Sequence, residues 1–481
     1  MFNIRIILFI LGLLISILGF SMFVPLIFNL FSKENNSVIF TQSILITLFI
    51  GVSLVLAFKK EEKVINIKDT IVLTTISWPI LCFFASLPLY FDENIRNFSD
   101  AFFEATSGLT TTGASIYSNV EKLSSGLLIW RSILQWLGGL GIIIFAIAIL
   151  PILNLGGLQL FTQNWNKNNE DLNYSSKELA KSLGLIYIIF TFFIFLLLYL
   201  VGLSAFDAVC HSMTTVATGG FSTNSNSIAF YNNIFVEIVI VVGMLLASLP
   251  FTLYLSAISK NFSIFRDSQV IMFFSLVLIF STVLSIWIYF ENNIDIFTAF
   301  RLSIFNGISL MTGTGYSTAN FSDWGSFSTS LLLFMMLIGG CTGSTTGGIK
   351  IFRLHMLFLI ILKELKKINS PRAVHSISYQ ERIISEEVIN SVMIIIILFI
   401  TGVFFITTIF SLFGYDFVTS LSAGITSVSV VGPGMGGIIG PENNFSNLPS
   451  VIKYSLSLAM IIGRLEFLTF LILLVPKFWA K

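Results

Sequence analysis

Ten long apolar segments decide what this chain can fold into. Each has about the twenty residues that a helix needs to cross the hydrocarbon core of a bilayer. Only 11% of the 481 residues are charged, against roughly 25% in soluble domains, too few to cover a water-exposed surface. The sequence therefore predicts an all-α polytopic membrane protein with about ten spanning helices. The predicted spans are 4–31, 38–58, 69–90, 126–153, 181–203, 232–259, 267–290, 328–362, 388–413 and 450–476.

Basic residues predict the orientation of these spans, because cytoplasmic loops carry an excess of Lys and Arg. Four alternate loops are basic, and the opposite loops carry acids instead. Both termini are therefore expected on the cytoplasmic side. The basic loops hold Lys59, Lys60, Lys63 and Lys68; Lys167, Lys177 and Lys181; Lys260 and Arg266; and Lys363, Lys366, Lys367, Arg372 and Arg382, while the acids are Asp92, Glu93, Glu291 and Glu442.

Four short segments rich in Gly and Thr recur between the spans. In the first two, a glycine follows an Asp-Ala pair at the same offset, 13 residues after the Asp. The key glycines are separated by 107, 95 and 117 residues, the spacing of an internal repeat. The four segments are "DAFFEATSGLTTTGAS" from Asp100, "DAVCHSMTTVATGGFS" from Asp207, "LSIFNGISLMTGTGYS" from Leu302 and "TSLSAGITSVSVVGPG" from Thr419, and their glycines are Gly113, Gly220, Gly315 and Gly432.

Each recurring unit reads as a long apolar helix, a short amphipathic helix, a Gly-rich turn and a second long helix. Four such units, preceded by one helical pair, account for all ten spans. The expected fold is thus four pseudo-fourfold helix–pore loop–helix repeats around one central pore. The predicted divisions are residues 1–65 for the N-terminal pair, 66–154, 155–260, 261–372 and 373–481 for repeats 1 to 4, with a broken inner helix in repeat 3.

Irregular backbone at membrane depth is tolerated only where it is buried in protein or lines a watery cavity. Carbonyl rings can replace the hydration shell of a cation, and glycine permits the positive φ angles that such a strand visits. The C-terminal end of each short helix would add partial negative charge. A single turn of this kind is more often a helix kink or close-packing site, but four at matching offsets favour a cation filter.

Two nucleotide-binding patterns occur by chance. Residues 432–437, "GPGMGG", fit G-x-G-x-x-G without the strand and βαβ unit that this motif requires. Residues 343–350, "GSTTGGIK", resemble a P-loop, but Ile349 stands where the lysine belongs. With a net charge of +1 and no catalytic constellation, neither a nucleic-acid-binding protein nor an enzyme is expected.

The predicted eighth span is too long for one straight crossing and contains five glycines within "GGCTGSTTGG", residues 339–348. This stretch is either a packing kink or a flexible intramembrane loop below the filter. Arg464 lies in another apolar span, where a charge is expensive, so it should face the cavity and touch another repeat. Both a structural bridge to the broken helix and a direct electrostatic gate remain open for Arg464.

Other polar residues receive less specific predictions. Asp207 and Asp416 begin short helices, where an N-cap or first-turn acid is expected, and His211 is expected to be a buried packing residue. Asp100 and Arg131 are expected to be solvated charges near the outer surface. The acids available inside spans for ion coupling are Glu104, Glu237 and Glu466.

The four turns resemble the filters of the Trk/Ktr/HKT superfamily of potassium transporters. Its TrkH-type branch is matched by "RSILQWLGGLGI" from Arg131, "GGCTGSTTGGIKIFR" from Gly339 and "GRLEF" from Gly463, and the resemblance covers essentially the whole chain. It implies a potassium uptake subunit that transports K⁺ and has no organic cofactor. The implied filter residues are Thr111, Thr112 and Gly113; Thr218, Gly219 and Gly220; Gly313, Thr314 and Gly315; and Val430, Val431 and Gly432.

In this superfamily, serine at the first filter glycine goes with sodium transport in some plant members, so Gly113 favours potassium. Gly219 and Val431 depart from the Thr found in repeats 1 and 3, which suggests looser selectivity. The resemblance also implies an intramembrane gate. Its residues would be Gly339, Gly340, Gly343, Gly347, Gly348, Lys350 and Arg464.

The resemblance further implies a homodimer in the cytoplasmic (inner) membrane of a bacterium, with a separate TrkA-like cytosolic nucleotide-binding subunit. The basic segment 363–372 is either the docking surface for that subunit or a simple positive-inside anchor. Two other functions stay open: a K⁺ symporter coupled to Na⁺ or H⁺, and a membrane scaffold that transports nothing.

Overall fold

The structure is a computed structural model of the chain. It describes residues 3–32, 37–59, 66–95, 97–148, 176–258, 267–373, 375–379 and 382–479. Basic positions named above at Lys60, Lys63, Lys167, Lys260 and Arg266 lie outside the described residues, as does the end of the predicted span 126–153.

Long apolar helices make up most of the described chain. Seven are long and apolar enough to cross a membrane, and two bent helix pairs raise the number to nine. The predicted all-α polytopic fold is confirmed, and the protein is a multi-pass membrane protein. The N-terminal helices are Ile4–Ser21, Phe23–Phe31 and Ser37–Phe58; the outer helices 1 to 4 are Ile67–Tyr90, Ser176–Leu200, Ser268–Asn292 and Glu386–Leu412; and the inner helices 1 to 4 begin as Ser125–Ala148, Ile234–Ala247, Gly325–Ile338 and Ser450–Arg464.

Small residues hold the N-terminal helical pair together. A Cβ added at Gly12 would lie 2.7 Å from the Cβ of Leu54, and one added at Gly51 would lie 2.6 Å from the Oγ of Ser16. Close approach of this kind lets helices associate by packing alone inside a membrane. The pair is attached to repeat 1 through Asn29, whose side-chain oxygen accepts a 2.6 Å hydrogen bond from the first turn of inner helix 1.

A short pore helix lies between the outer and inner helix of every repeat, in the order predicted from the sequence. Three of the four begin with a side-chain cap on the free N–H groups of the first turn. Ser204, Asp295 and Asp416 supply these caps, at 3.0, 2.9 and 3.0 Å, and Asp207 lies in the first turn of its helix. Pore helices 1 to 4 are Phe98–Leu109, Ala205–Val216, Ile296–Thr312 and Phe417–Ser429.

Inner helices 2 and 4 are bent, whereas hydropathy alone predicts one continuous span at 232–259 and another at 450–476. Inner helix 2 turns by 90° before continuing as Phe251–Ile258, and Pro250 at the turn has no N–H with which to extend the first helix. Inner helix 4 turns by 105° into Leu468–Leu471 through Glu466 and Phe467, both at positive φ. Inner helix 3 ends at Ile338, as its glycine-rich continuation predicts.

The segment predicted as a basic loop at 363–372 is mostly helical. The helix Ile351–Asn369 includes Lys363, Lys366 and Lys367, and its exposed last turns carry the positive charges. Lysines at a helix C-terminus are favoured by the helix dipole, which explains why the helix continues through them. A two-stranded antiparallel hairpin, Ser378–Tyr379 with Arg382–Ile383, follows.

Candidate functional site

The four predicted filter segments share one backbone conformation. In each, the first and third residues have positive φ, a region that residues with a Cβ seldom occupy. The first position is at 59°, 50°, 76° and 61° and the third at 87°, 78°, 82° and 110° in repeats 1 to 4. The first positions are Thr111, Thr218, Gly313 and Val430, and the third positions are Gly113, Gly220, Gly315 and Gly432.

A repeated hydrogen bond anchors each segment to its pore helix. The N–H of the middle residue donates to the carbonyl five residues earlier, inside the pore helix, in every repeat. The four N···O distances lie between 2.8 and 3.0 Å, so the strand is held in register with the end of its helix. The bonds are Thr112 to Ser107, Gly219 to Thr214, Thr314 to Ser309 and Val431 to Thr426.

The four segments close into a ring. A Cβ placed on Gly113 would lie 2.2 Å from the carbonyl oxygen of Gly219, and one on Gly220 would lie 1.8 Å from that of Thr314. The same contact links Gly315 to Val431 at 2.2 Å, and Gly432 returns to Thr112 at 2.7 Å. Every third-position glycine therefore lies against the middle carbonyl of the next repeat, in the order 1, 2, 3, 4 and back to 1.

A cavity lies directly against the third-position glycines, on one side of this ring. Its volume is about 100 Å³, and all four third-position glycines line it. Glu442, Asn443 and Asn444 from repeat 4 add polar and acidic groups to its wall. The cavity therefore joins the ring to the side of the molecule on which the sequence places the acidic loops.

Glu121 connects the segments that follow the filter turns of repeats 1 and 2. It accepts hydrogen bonds from the backbone N–H and the hydroxyl of Ser225, at 2.6 and 2.8 Å. Partial burial favours a raised pKa for Glu121, but the bonds from Ser225 outweigh it and the pKa lies below its ordinary value. The group is therefore ionised at neutral pH and holds the two segments together.

The glycine-rich stretch 339–350 is a buried loop in direct contact with the opposite side of the ring. The hydroxyl of Thr345 accepts a 3.1 Å hydrogen bond from Thr218 in the repeat 2 filter segment. The N–H of Gly348 donates to the carbonyl of Ser429, which precedes the repeat 4 segment, at 3.0 Å. A Cβ on Gly347 would lie 2.0 Å from that same carbonyl oxygen. The loop thus packs against two filter segments from below.

The same loop completes the ends of two broken helices. Cys341 donates to the carbonyl of Ser248, at the end of inner helix 2, at 3.0 Å. Ile349 and Lys350 donate to Leu337 and Ile338, at the end of inner helix 3, at 2.9 and 2.8 Å. Helix ends leave carbonyls without intrahelical partners, and a membrane interior offers them little water. The loop is therefore held in place by hydrogen bonds to helix-end carbonyls that have no partner within their own helices.

Arg464 faces a small cavity beneath the loop, of about 30 Å³, which Gly347, Gly348 and Lys350 also line. Arg464 is buried, and within the described part of the chain its Nε and Nη2 atoms have no hydrogen-bond partner. Glu466, two residues further on, pairs instead with Arg353 at 2.5 Å. This cavity brings four of the predicted gate residues together, whereas Gly339, Gly340 and Gly343 lie elsewhere in the loop.

Arg131 and Asp100 were expected to be solvated, and both expectations are wrong. Arg131 is buried and its Nε donates to the carboxylate of buried Glu104 at 2.9 Å. Its Nη1 donates to the carbonyl of Ser222 at 3.1 Å, just beyond the repeat 2 filter segment. Asp100 pairs with Lys453 at 2.6 Å, joining repeats 1 and 4. Buried charges require partners, and no local sequence pattern identified them.

All three acids predicted inside spans are engaged in ion pairs. Glu104 pairs with Arg131, Glu466 with Arg353, and Glu237 with Arg301 through two hydrogen bonds at 2.6 and 2.7 Å. The Glu104 and Glu237 pairs each join two helices, and the Glu466 pair joins the turn of inner helix 4 to the helix Ile351–Asn369. These carboxylates therefore have structural partners in the described state.

Two further polar residues support the repeat 2 filter segment. His211 is fully buried, with Nδ1 2.8 Å from the carbonyl oxygen of Asp207 and Nε2 3.0 Å from the Oγ of Ser222, in the packing position that was expected. Gln135 of inner helix 1, which is not among the residues predicted from the sequence, contacts the backbone of Gly219 and Phe221. A buried amide inside an apolar span was the available signal.

Among the described residues, no group of three or more His, Cys, Asp or Glu side chains could hold a metal ion. The ring itself presents main-chain carbonyl oxygens, among them those of Gly219, Thr314 and Val431, beside its glycines. Such oxygen sites suit alkali cations that exchange their hydration shell for carbonyls.

Four re-entrant turns that meet inside a bundle of spanning helices define a multi-pass membrane protein of the pore-loop type. The TrkH family profile, described as a cation transport protein, matches residues 36–481. The chain belongs to the TrkH family of cation transport proteins.

Individual relatives agree over nearly their full length. The chain is 35% identical to the Trk system potassium uptake protein TrkI of Halomonas elongata, covering 98% of this chain and 96% of that protein. It is 32% identical to the Trk system potassium uptake protein TrkH of Salmonella typhimurium, covering 98% of each. The crystal structure of the potassium transporter TrkH from Vibrio parahaemolyticus superposes with a TM-score of 0.92 at 30% identity, over 99% of this chain and 100% of that one.

Proposed function

We propose that this protein takes up K⁺ across the cytoplasmic membrane through a channel-like pore. The observation that carries the proposal is the closed ring in which each third-position glycine lies against the middle carbonyl of the next repeat. The names of the relatives, which are potassium uptake proteins, support the choice of ion.

The ring acts as a four-part selectivity filter. Among the three residues of each segment, φ is positive at the first and third positions and not at the middle one, an alternation that lets successive carbonyls face one axis. A dehydrated K⁺ would exchange its water shell for these oxygens. The twelve filter residues are Thr111, Thr112, Gly113, Thr218, Gly219, Gly220, Gly313, Thr314, Gly315, Val430, Val431 and Gly432.

The buried loop 339–350 acts as the gate. It packs against the filter from below, ends with Lys350 and has Arg464 beside it, so positive charge and protein backbone together obstruct the path of a cation. We expect Arg464→Ala to raise basal Rb⁺ flux or to change its gating. Flux and gating identical to wild type would refute both the bridging and the electrostatic role of Arg464.

Coupling to Na⁺ or H⁺ is the second candidate function. Coupled transporters hold ion sites near the midplane, and the three acids suited to such a site already hold ion pairs, which favours the uncoupled pore. Rb⁺ uptake into proteoliposomes tests this, with and without a Na⁺ or pH gradient. Uptake that follows the Rb⁺ gradient alone supports a pore, gradient-driven accumulation supports coupling, and absent uptake in a folded protein refutes transport.

Regulation is assigned to a separate TrkA-like cytosolic subunit that binds nucleotide. Its docking surface would be the exposed end of the helix Ile351–Asn369, because that helix leads directly from the gate loop to the basic residues. The membrane is the inner membrane of a bacterium, both termini are cytoplasmic, and two copies of the chain form a homodimer. Cross-linking of a cysteine at Lys367 to the regulatory subunit tests the docking surface.

A further inference from the structure

The four filter segments differ at their middle position. Repeats 1, 3 and 4 place the β-branched residues Thr112, Thr314 and Val431 there, and all three are buried. The hydroxyls of Thr112 and Thr314 each lie 2.8 Å from the hydroxyl of a threonine two residues earlier. Repeat 2 has Gly219, so the side chain that packs behind the other three segments is missing there.

Gln135 fills this space from the neighbouring repeat. A Cβ built on Gly219 would lie 2.4 Å from both the Cδ and the Oε1 of Gln135, and the three nearest atoms all belong to that side chain. Gln135 is fully buried in inner helix 1. Burial of an amide without hydrogen-bond partners costs free energy, so its side chain needs partners within the protein.

Both ends of the Gln135 amide bond to the filter backbone. Its Nε2 donates to the carbonyl oxygen of Gly219 at 2.6 Å, and its Oε1 accepts from the N–H of Phe221 at 3.0 Å. The side chain thereby spans the third filter residue, Gly220, and fixes the two peptides on either side of it. Gly219 itself needs no glycine-specific backbone, since its φ lies outside the left-handed region.

We propose that Gln135 is a positioning residue for ion selectivity. From the neighbouring repeat, it supplies the support that a β-branched residue supplies within each of the other three segments. The proposal rests on the assignment of the ring as a filter. Gly219 is a glycine because Gln135 occupies its side-chain space.

Four variants test the exchange: Gln135→Ala, Gly219→Val, their double variant, and Ser132→Ala as the matched control. Ser132 is buried one turn earlier on the same helix, where its hydroxyl donates to the carbonyl of Leu128 and also bonds with Cys210 of pore helix 2, outside the filter segment. Valine is preferred to threonine because Ala217 offers no hydroxyl partner two residues earlier. The measured quantity is the K⁺/Na⁺ selectivity ratio of the reconstituted protein. It is the Na⁺ concentration that halves Rb⁺ uptake divided by the K⁺ concentration that does so.

We expect Gln135→Ala to lower the K⁺/Na⁺ ratio by about threefold or more, because two hydrogen bonds to the filter are lost. Gly219→Val alone should lower it as well, since its side chain meets Gln135. The double variant should have a ratio closer to wild type than either single variant, within about twofold, a non-additivity expected of side chains that share one space. The control should match wild type.

A double variant whose K⁺/Na⁺ ratio is no higher than that of Gln135→Ala alone would refute the idea that a side chain at position 219 can replace Gln135. A raised ratio in Gln135→Ala would overturn the positioning role, because the bond would then weaken a ligand oxygen. Gly113→Ser, measured in the same series, separates this inference from the filter assignment. If Gly113→Ser lowers the ratio and Gln135→Ala does not, only the Gln135 inference fails; if neither changes the ratio, the filter assignment fails.

Discussion

Replacing Gly113 with serine perturbs the ring at one defined contact. The added Cβ would lie 2.2 Å from the carbonyl oxygen of Gly219, and the backbone at Gly113 has a φ of +87°. That conformation costs a residue with a Cβ roughly 1–2 kcal/mol. Relief requires the Gly219 carbonyl to move by about 1 Å to reach ordinary contact distance. Because carbonyl placement sets ion preference, we expect the K⁺/Na⁺ ratio to fall by about tenfold, the equivalent of 1.4 kcal/mol.

The other three ring glycines turn this expectation into a graded series. Serine at Gly220 meets its neighbouring carbonyl oxygen at 1.8 Å, serine at Gly315 at 2.2 Å and serine at Gly432 at 2.7 Å. We therefore expect selectivity to decline most in Gly220→Ser and least in Gly432→Ser. Gly437→Ser is the control, because a Cβ there meets nothing within 4 Å and its φ is ordinary.

The assay is Rb⁺ uptake into proteoliposomes in competition with K⁺ and with Na⁺, after size-exclusion chromatography has shown that each variant is folded. Wild-type competition in Gly113→Ser and Gly220→Ser would refute the assignment of the ring as the filter. An inverted order, with Gly432→Ser the most affected, would refute the argument from contact distance.

Three further outcomes are expected. Arg131→Ala should destabilise the purified protein by about 3–5 kcal/mol in thermal unfolding, because it leaves buried Glu104 without its cation; Arg131→Met combined with Glu104→Gln should recover most of that loss, and equal loss in both variants would argue against the pair. Glu442→Gln should weaken apparent K⁺ affinity by about twofold at low ionic strength and hardly at all at about 0.15 M salt, whereas a salt-independent effect would exclude simple attraction at the outer cavity. Thr345→Val removes hydroxyl contacts between the gate loop and the filter, so basal Rb⁺ uptake should rise by about threefold to tenfold; Thr282→Val, which changes an exposed hydroxyl bonded only within its own helix, should leave uptake unaltered.

The repeated architecture was predictable because it depends on the spacing of apolar residues and glycines along the chain. Hydropathy identified the spans, and the common offset of Gly113 and Gly220 identified the re-entrant turns. Gly339 to Gly348 marked the break in inner helix 3, since so many glycines cannot sustain a helix. These features depend on neighbours along the chain, and the structure has them in the expected order.

What was missed depends on partners distant in sequence. Glu104 meets Arg131 across two helices, and Asp100 meets Lys453 across 353 residues, so neither pair leaves a local pattern. The bend at Pro250 had a signal in that proline, but the bend after Arg464 has no Pro or Gly at the turn itself. The position of Arg131 near the end of a predicted span favours a solvated charge. However, Arg131 and Gln135 are four residues apart and so share one polar face of the helix, which was a signal for burial against other polar groups.

The loop 339–350, which we propose as the gate, supplies N–H partners for carbonyls at the ends of inner helices 2 and 3. When the loop withdraws, main-chain carbonyls at the ends of inner helices 2 and 3 lose their donors at once, and buried carbonyls do not stay bare. Water must enter to replace the loop, so wetting of the cavity and movement of the loop form a single event. In a pore gated by this loop, the conductive state is then the hydrated one, and we expect an osmolyte too large to enter the pore to lower the fraction of open molecules by withdrawing that water.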